Sequence, residues 1–295
     1  MGTSIAVVGP GAIGSTVAAL LHAAGHAVTV CGHTPRDEIE VRPESQEAIV
    51  VPGPVLTDPA DVAGPVDLVF LAVKDTQNEH AAAWLQRLCT GDTIVCVLQN
   101  GVEQIERVGR FSPSAHIVPA VVWFSAERQP EGWVRLRTEA RLVLPDGEDA
   151  ETLAAVLRPG GMTVELDPDF ITAAWRKLLV NALAGFMVLA GRRSGMFRRD
   201  DVAALARRYL TECLAVARAE GARLPDAVID QMAEMFATAP EDLTTSILTD
   251  REARRRLEWD IRNGVIVRKA AEHGLATPVG DVLVPLLAAA SDGPG

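Results

Sequence analysis

The sequence predicts two domains, an α/β domain at the N-terminus and an all-helical domain after it. In the first half, short apolar runs rich in valine and isoleucine alternate with segments of helical composition. Unalternated apolar strands separated by helices are typical of a parallel sheet that is covered on both faces. After residue 167 the pattern changes to helical segments joined by glycine or proline. We therefore predict domains at 1–167 and 168–295.

The periodicity also gives the individual elements. Core strands are predicted at Ser4–Val8, Ala27–Cys31, Val66–Val73 and Thr93–Leu98, with helices at Ala12–Ala24 and Thr76–Leu88. Later strand-like runs have closely spaced turn signals, which favours antiparallel pairing; they are Ile117–Ser125, Trp133–Arg137, Arg141–Leu144 and Met162–Leu166. The helices predicted for the second domain are Asp169–Ala190, Asp200–Glu220, Asp226–Ala237, Arg251–His273 and Val279–Ala290.

Charge and composition narrow the class of partners. The net charge of −11 argues against nucleic acid, because neutralising phosphates needs a basic surface. The N-terminus does not resemble a signal peptide, and the longest apolar stretch, Leu178–Ala190, is too short to span a bilayer. We expect a cytoplasmic protein that binds neither nucleic acid nor membranes. Its cysteines and histidines lack ligand spacing, so reduced thiols and no metal are expected.

A glycine-rich segment directly after the first strand predicts a dinucleotide site. Residues Gly9-Pro10-Gly11-Ala12-Ile13-Gly14 fit G-x-G-x-x-G and open the first helix. In this motif the first glycine permits a tight turn, the second lets the backbone approach a pyrophosphate, and the third allows close helix–strand packing. The helix N-terminus presents free N–H groups and a positive dipole end to the phosphates. The first domain is therefore predicted to be a Rossmann domain, with cofactor contacts from Gly9, Gly11, Ala12, Ile13 and Gly14.

The end of the second strand favours NADP over NAD as the cofactor. An NAD site usually has Asp or Glu there, which accepts hydrogen bonds from the ribose hydroxyls. This chain has no acid between Val30 and Asp37, and a carboxylate would repel a 2′-phosphate. His33 and Arg36 in that stretch are candidate phosphate contacts, although Arg36 could also be an ordinary surface residue.

A polar stripe on the first helix of the second domain predicts a reactive lysine. Lys177, Asn181 and Gly185 are spaced i, i+4 and i+8, so they share one face of a helix. Most other residues from Leu178 to Ala190 are apolar, which indicates a buried helix. Lys177 and Asn181 then need polar partners or a wet cleft, and Gly185 leaves room for a ligand.

An acidic residue further along the chain could act on this lysine. Glu258 lies in the predicted helix Arg251–His273, about a dozen residues after Ser246. A carboxylate beside a buried lysine would orient the ammonium and keep it charged as a proton donor. Spacing alone equally allows Glu258 to pair with Arg254 or Arg262 at i±4.

Several short motifs follow one another along the chain in a fixed order. They are Gly9-Pro10-Gly11-Ala12-Ile13-Gly14-Ser15, Ala72-Val73-Lys74, Gln99-Asn100-Gly101, Trp175-Arg176-Lys177-Leu178, Ser246-Ile247-Leu248-Thr249-Asp250 and Glu258-Trp259-Asp260. In this order and spacing they resemble the ketopantoate reductase (2-dehydropantoate 2-reductase) family over almost the whole chain.

The resemblance implies a reaction and a set of roles. The reaction is NADPH-dependent reduction of ketopantoate, or of a related 2-keto acid, to the 2-hydroxy acid, a step of pantothenate biosynthesis. Lys177 is implied to protonate the carbonyl oxygen, and Glu258 to orient that lysine and the substrate. Asn100 is implied to lie beside the nicotinamide, and Lys74 in the cofactor and substrate cleft. Asn181 and Ser246 are implied to contact the substrate.

Three positions depart from the family pattern at residues that would contact the substrate. Gly185-Phe186 stands where the family has Asn-Pro, while Ser194 and Leu243 each stand where it has asparagine. A missing hydrogen-bond partner can change substrate discrimination by orders of magnitude. A keto acid bulkier or less polar than ketopantoate is therefore an open alternative.

Other functions remain compatible with the sequence. A 3-hydroxyacid dehydrogenase of the 3-hydroxyisobutyrate type also joins a Rossmann domain to a helical domain with a catalytic lysine. A non-catalytic NADP(H)-binding regulatory protein would bind the cofactor without turnover. The apolar helices of the second domain could form a homodimer interface or could simply be core.

Overall fold

The computed structural model describes residues 2–44 and 46–293. It divides the chain into two compact units, with the division between Phe170 and Ile171. The boundary predicted from the sequence lies three residues earlier, at the end of the last strand. The structural division instead falls at the start of the first helix of the second unit, which begins at Phe170.

Among its described residues the first unit has twelve strands and four α-helices. The strands are β1 Ile5–Val8, β2 Val28–Cys31, β3 Glu38–Pro43, β4 Ile49–Pro52, β5 Leu68–Leu71, β6 Ile94–Val97, β7 His116–Pro119, β8 Val121–Val122, β9 Ala126–Arg128, β10 Val134–Leu136, β11 Arg141–Pro145 and β12 Thr163–Asp167. The helices are α1 Ala12–Ala23, α2 Asn78–Leu88, α3 Gln104–Gly109 and α4 Glu148–Leu157.

A five-stranded parallel sheet forms the centre of this unit. Its strand order is β2-β1-β5-β6-β7, and every neighbouring pair is parallel. Strands β1, β5 and β6 are buried along their full length, which explains their continuous apolar sequences. The chain leaves β1 toward β2 on one side and returns to β5 on the other. In such sheets ligands bind at the carboxyl ends of the strands beside this switch point. The predicted Rossmann architecture is confirmed.

Two smaller sheets, with orders β4-β3-β10-β9 and β12-β11-β8, complete the first unit. The predicted antiparallel pairing of this region is wrong in part, because β10 pairs with β3 and β11 with β12 in parallel. The sequence analysis also missed the β3–β4 hairpin, α3 and α4. Strand β3 alternates charged and apolar residues and buries only Ile39 and Val41, so it has no continuous apolar run.

The second unit is helical, as predicted. Its helices are α5 Phe170–Ala190, α6 Asp200–Ala219, α7 Val228–Thr238, α8 Ser246–Glu252, α9 Val265–Glu272 and α10 Gly280–Ser291. A 3₁₀ turn occupies Ser194–Arg198, and a π-helical turn, Asp260–Gly264, leads into α9.

Helix α5 is longer than the apolar stretch seen in the sequence. With 21 residues it is long and apolar enough to cross a membrane by length and composition, and 67% of its apolar window is buried in the structure. An apolar helix that is mostly buried in this way is typical of a protein core.

The predicted single helix Arg251–His273 is broken. Helix α8 ends in a Schellman motif, in which the Arg255 N–H donates to the Asp250 carbonyl and the Arg254 N–H to that of Arg251. Arg254 has the left-handed conformation of this motif, with φ of +53°. Glycine usually fills that position, so the arginine gave no sign of a helix end. Glu258 consequently lies in a connecting segment rather than inside a long helix.

Candidate active site

The glycine loop between β1 and α1 is shaped by two positions that exclude a side chain. Gly9 has φ of +95°, and a Cβ there would lie 2.7 Å from the Val73 amide nitrogen. A Cβ on Gly14 would lie 2.2 Å from the Gly9 carbonyl oxygen and 2.9 Å from the Ala72 Cβ. The first glycine thus brings the loop against the end of β5, and the second brings α1 against the loop. Both contacts match the packing expected of a dinucleotide-binding turn.

The N-terminus of α1 is open to an anion. Gly11 is exposed, and a Cβ there would meet no atom within 4 Å. No side chain among the described residues caps this helix, and its first turn contains no acid. The amides of Ala12 and Ile13, both in half-buried residues, follow directly. A phosphate can therefore approach the backbone N–H groups and the positive end of the helix dipole.

Arg36 lies against this same loop. Its Nη1 donates a hydrogen bond to the Pro10 carbonyl at 3.3 Å, while its buried Nε has no hydrogen-bond partner among the described residues. Burial and the nearby Arg128 guanidinium lower the pKa of Arg36. Two guanidinium groups that repel each other beside the glycine loop are suited to hold an anion. Arg128, which belongs to β9, is not among the residues predicted from the sequence. The other predicted phosphate contact, His33, is exposed, and its ring is hydrogen-bonded to the Thr34 hydroxyl.

A buried amide network positions the loops after β5 and β6. The Gln99 Nε2 donates to the Val73 carbonyl at 3.0 Å, and its amide also bonds to the Asn78 side chain. Lys74 and Asn100, each adjacent to one of these residues, are both half-buried. The structure therefore places both candidate residues at the carboxyl edge of the parallel sheet. The hydrogen bonds of the Gln99 side chain join the loop after β6 to the loop after β5 and so hold the two loops at a fixed spacing.

In the second unit, α5 carries Lys177 and Asn181 on one face, as the spacing predicts. Lys177 is half-buried and Asn181 is buried. Burial, with a smaller contribution from the Arg262 charge, lowers the pKa of Lys177 to about 8. The role of Glu258 in holding this lysine charged stays a prediction. A lysine with this pKa is a better proton donor at neutral pH than one in water.

The π-helical turn Asp260–Gly264 brings Arg262 to the other predicted residues. The Arg262 Nη2 donates to the Ser246 Oγ at 3.0 Å and lies 3.3 Å from the Glu258 Oε2. Arg262 and Glu258 are both buried, with side chains 2% and 5% exposed, whereas Ser246 is exposed. Of the two arginines that spacing allowed as partners of Glu258, the structure selects Arg262. Ser246 and Glu258 thus both contact the Arg262 guanidinium, and Lys177 lies near enough for the charge of Arg262 to lower its pKa.

Two of the three positions that depart from the family pattern, Gly185 and Ser194, are closely packed or hydrogen-bonded within the helical unit. A Cβ on Gly185 would lie 3.0 Å from the Asn263 Nδ2 and 3.1 Å from the Leu287 Cδ1, so no room is left for a ligand there. This corrects the expectation from the sequence. Ser194 is fully buried, and its hydroxyl donates to the Pro240 carbonyl. Leu243 is 43% exposed.

Two other types of site, a metal site and a reactive cysteine, are not indicated in the described part of the chain. No group of three or more His, Cys, Asp or Glu residues there could hold a metal ion. The cysteines are free thiols, and burial raises the pKa of Cys31 and of Cys96 to about 12, which disfavours the reactive thiolate.

A Rossmann unit with an open glycine loop, followed by a helical unit with a half-buried lysine, is typical of nicotinamide-dependent oxidoreductases. Two family models, described as ketopantoate reductase PanE/ApbA and its C-terminal part, match residues 5–149 and 169–291. The chain therefore belongs to the ketopantoate reductase family.

Known relatives cover the full chain. A 2-dehydropantoate 2-reductase from Mycobacterium tuberculosis is 68% identical over 295 residues, which is 100% of both chains. The solved structure of a PanE/ApbA family ketopantoate reductase from Ralstonia eutropha is 30% identical, with a TM-score of 0.87 and 98% of each chain covered. That of a dimeric ketopantoate reductase from Staphylococcus aureus is 25% identical, with a TM-score of 0.88, covering 99% of this chain and 100% of that one.

Proposed function

We propose that this chain is a cytoplasmic enzyme that reduces 2-dehydropantoate (ketopantoate), or a closely related 2-keto acid, to the 2-hydroxy acid with NADPH. The observation that carries the proposal is the placement of Lys177, which is half-buried on α5 and close enough to Arg262 for burial and that charge to lower its pKa. The name of the relative at 68% identity supports the choice of substrate.

The chemistry divides between the cofactor and the chain. Bound NADPH would supply the hydride that adds to C2 of the keto acid. The ammonium of Lys177 donates a proton to the carbonyl oxygen, so that this oxygen becomes the hydroxyl of the product and no free alkoxide accumulates. We assign Glu258 the orientation of this lysine and Asn100 the alignment of the reacting groups. Asn181 and Ser246 are assigned to substrate binding.

The residues present in the first unit fit a dinucleotide with a 2′-phosphate. We assign the pyrophosphate to the glycine loop and the amides of Ala12 and Ile13, and we assign Lys74 to the cofactor as well. The orphaned Nε of Arg36 and its neighbour Arg128 support a site for an additional phosphate. His33 is exposed in the same connection after β2 and is assigned to the phosphate too.

The cofactor assignment is tested by the substitution Arg36→Gln. We expect NADPH affinity, measured by fluorescence titration, to fall about 10-fold to 100-fold, since charged hydrogen bonds to phosphate are worth about 1.5–3 kcal/mol. NADH affinity should change by less than about threefold. Equal losses for both cofactors, or an unmodified protein that prefers NADH, would contradict the assignment of NADP.

The activity is tested by following NADPH oxidation with a panel that contains ketopantoate, other 2-keto acids and, in the reverse direction, 3-hydroxyisobutyrate. Lys177→Met should lower turnover about 10²-fold to 10⁴-fold, the usual contribution of a positioned acid. Lys269→Met serves as the matched control, because Lys269 lies on α9 in ion pairs with Glu220 and Glu272. Binding of NADPH without turnover of any 2-keto acid would refute the proposal and indicate a regulatory protein.

We further propose that the chain forms a homodimer through its helical unit. The exposed face of α10 carries Val282, Pro285, Leu286 and Ala289 at helical spacing, and Val282 and Leu286 are 62% and 52% exposed. Continuous apolar faces of this kind mark protein interfaces. The relative from Staphylococcus aureus is described as dimeric, which supports a second copy as the partner.

A further inference from the structure

Arg262 is an unusual residue to find inside a helical unit. It is 2% exposed and is the largest of the fully buried side chains. It lies in the middle of the π-helical turn Asp260–Gly264, and π-turns occur frequently at functional sites. A buried guanidinium is costly unless its donors are paired and its charge is balanced. Arg262 therefore needs groups around it that accept hydrogen bonds from all its donors and that balance its positive charge.

The donors of Arg262 are only partly used within the chain. Its Nη2 contacts the Ser246 Oγ at 3.0 Å and the Glu258 Oε2 at 3.3 Å. Its Nε is buried and has no hydrogen-bond partner among the described residues. The Nε and an Nη group of arginine form a fork that matches the two oxygens of a carboxylate. The open edge of this fork is the feature that a bound anion would satisfy.

The balance of charge around Arg262 also favours an anion. Lys177 is near enough for the guanidinium to contribute to its lowered pKa. Glu258 contributes one negative charge to these two positive ones. The two aspartates nearest in the chain are already paired, Asp250 with Arg255 and Asp260 with Arg268. Lys177, Arg262 and Glu258 taken together carry a net positive charge when the lysine is protonated, and a 2-keto acid brings one negative charge.

We propose that Arg262 binds the carboxylate of the 2-keto acid substrate and thereby determines that this site takes an acid rather than a neutral ketone. The inference rests on the proposed function and names the recognition element of that site. The three positions that depart from the family pattern offer the substrate no alternative polar contact. Gly185 is covered by Asn263, Ser194 is used by a backbone carbonyl and Leu243 is apolar, so none of these positions supplies an amide to the substrate.

The test compares a 2-keto acid with its neutral 2-oxo amide in the intact enzyme. The unmodified protein should prefer the acid, and Arg262→Gln should lower kcat/KM for the acid about 100-fold. For the amide the loss should be at least about tenfold smaller, because it keeps only the effects of Arg262 on Lys177 and Glu258 and lacks the carboxylate contact. Arg207→Gln is the control, because Arg207 lies on α6 in an exposed pair with Asp230 and should leave both values unchanged.

Folding and the underlying activity are controlled separately. The NADPH affinity and thermal midpoint of Arg262→Gln show whether the variant folds. If it does not, Arg262→Lys, which keeps the charge but loses the fork, should still lower the acid-to-amide ratio about 10-fold. Losses of equal size for acid and amide would overturn the inference and leave Arg262 as a positioning residue. Absence of acid turnover in the unmodified protein would instead refute the proposed function.

Discussion

At pH 7 most molecules carry Lys177 in its protonated form, although its pKa of about 8 lies well below the 10.5 of a free lysine. Burial and a neighbouring positive charge both disfavour the ammonium, so the proton is held less tightly. For a general acid this is useful, because catalysis is most effective when the pKa of the donor lies near the working pH. The same environment must reduce the stability of the folded protein.

The pH dependence of the reaction should report this lysine. The kcat/KM for reduction of the keto acid should be constant below about pH 7.5 and fall tenfold per pH unit above about pH 8, as the ammonium is lost. The kcat/KM for oxidation of the hydroxy acid should instead rise with pH up to about pH 8, since that direction needs the free amine. Initial rates of both reactions across pH 6–10 at saturating cofactor check these two profiles. A rate that does not respond to pH between 7 and 9.5 contradicts the role of Lys177.

The cost of burying the ammonium should be measurable as stability. Below about pH 8 the folded state holds the proton less tightly than the unfolded chain, whose lysine has a pKa near 10.5, so protonation destabilises the fold. Lys177→Met should then raise the free energy of unfolding by about 1–3 kcal/mol at pH 7. The gain should shrink as the pH rises from about 8 and vanish near 10.5. Urea denaturation at both ends of this range gives the comparison, and a gain independent of pH is the contrary result.

The individual site residues differ in how visible they are in the sequence. Lys177 and Asn181 stand out as polar positions on one face of an apolar helix, and the glycine loop stands out by its strand–turn–helix context. Arg262 does not, because an arginine four residues after a glutamate is equally expected in a surface ion pair. Arg128 belongs to β9, far along the chain, and only the fold brings it near Arg36.

At the level of elements, the connection between β1 and α1 offers a matched pair of substitutions. Gly14→Ala would place a methyl group 2.2 Å from the Gly9 carbonyl oxygen, so α1 must shift. We expect it to destabilise the protein by about 1–3 kcal/mol, as overpacking does, and to weaken NADPH binding.

Gly11→Ala should separate these two effects. No atom lies within 4 Å of the added methyl group, so stability should change by less than about 1 kcal/mol. The methyl group would nevertheless occupy the approach of the pyrophosphate, and NADPH affinity should fall. Thermal melts and cofactor titrations of both variants check the pair. Unchanged affinity in Gly11→Ala would remove the loop from the cofactor site.

The strands and helices that the sequence analysis predicted correctly are those with one strong pattern. The buried strands of the parallel sheet have continuous apolar runs, and the long helices of the second unit have helical periodicity. The errors occur where tertiary contacts decide. Strand β3 is buried on one face only, α8 ends at an arginine in a position that glycine usually occupies, and the π-helical turn has no signature in composition.

At the level of the whole molecule, the proposed dimer gives a prediction on assembly. Placing a charge on the exposed face of α10, as in Leu286→Glu, should convert a dimer into monomers without loss of fold, because Leu286 is 52% exposed in the single chain. Light scattering after size-exclusion chromatography measures the mass. Leu205→Glu on α6, where Leu205 is 37% exposed, is a control that should not change it. A monomeric unmodified protein refutes the dimer.

The packing of Asn263 over Gly185 has an evolutionary consequence. Asn263 is fully buried and is held by hydrogen bonds to the Ala182 carbonyl and the Tyr209 hydroxyl, so it cannot easily move aside. An asparagine at residue 185 is therefore expected to destabilise the helical unit less when residue 263 is smaller, so substitutions at the two positions should not be additive. The order in which these two positions can change is then constrained.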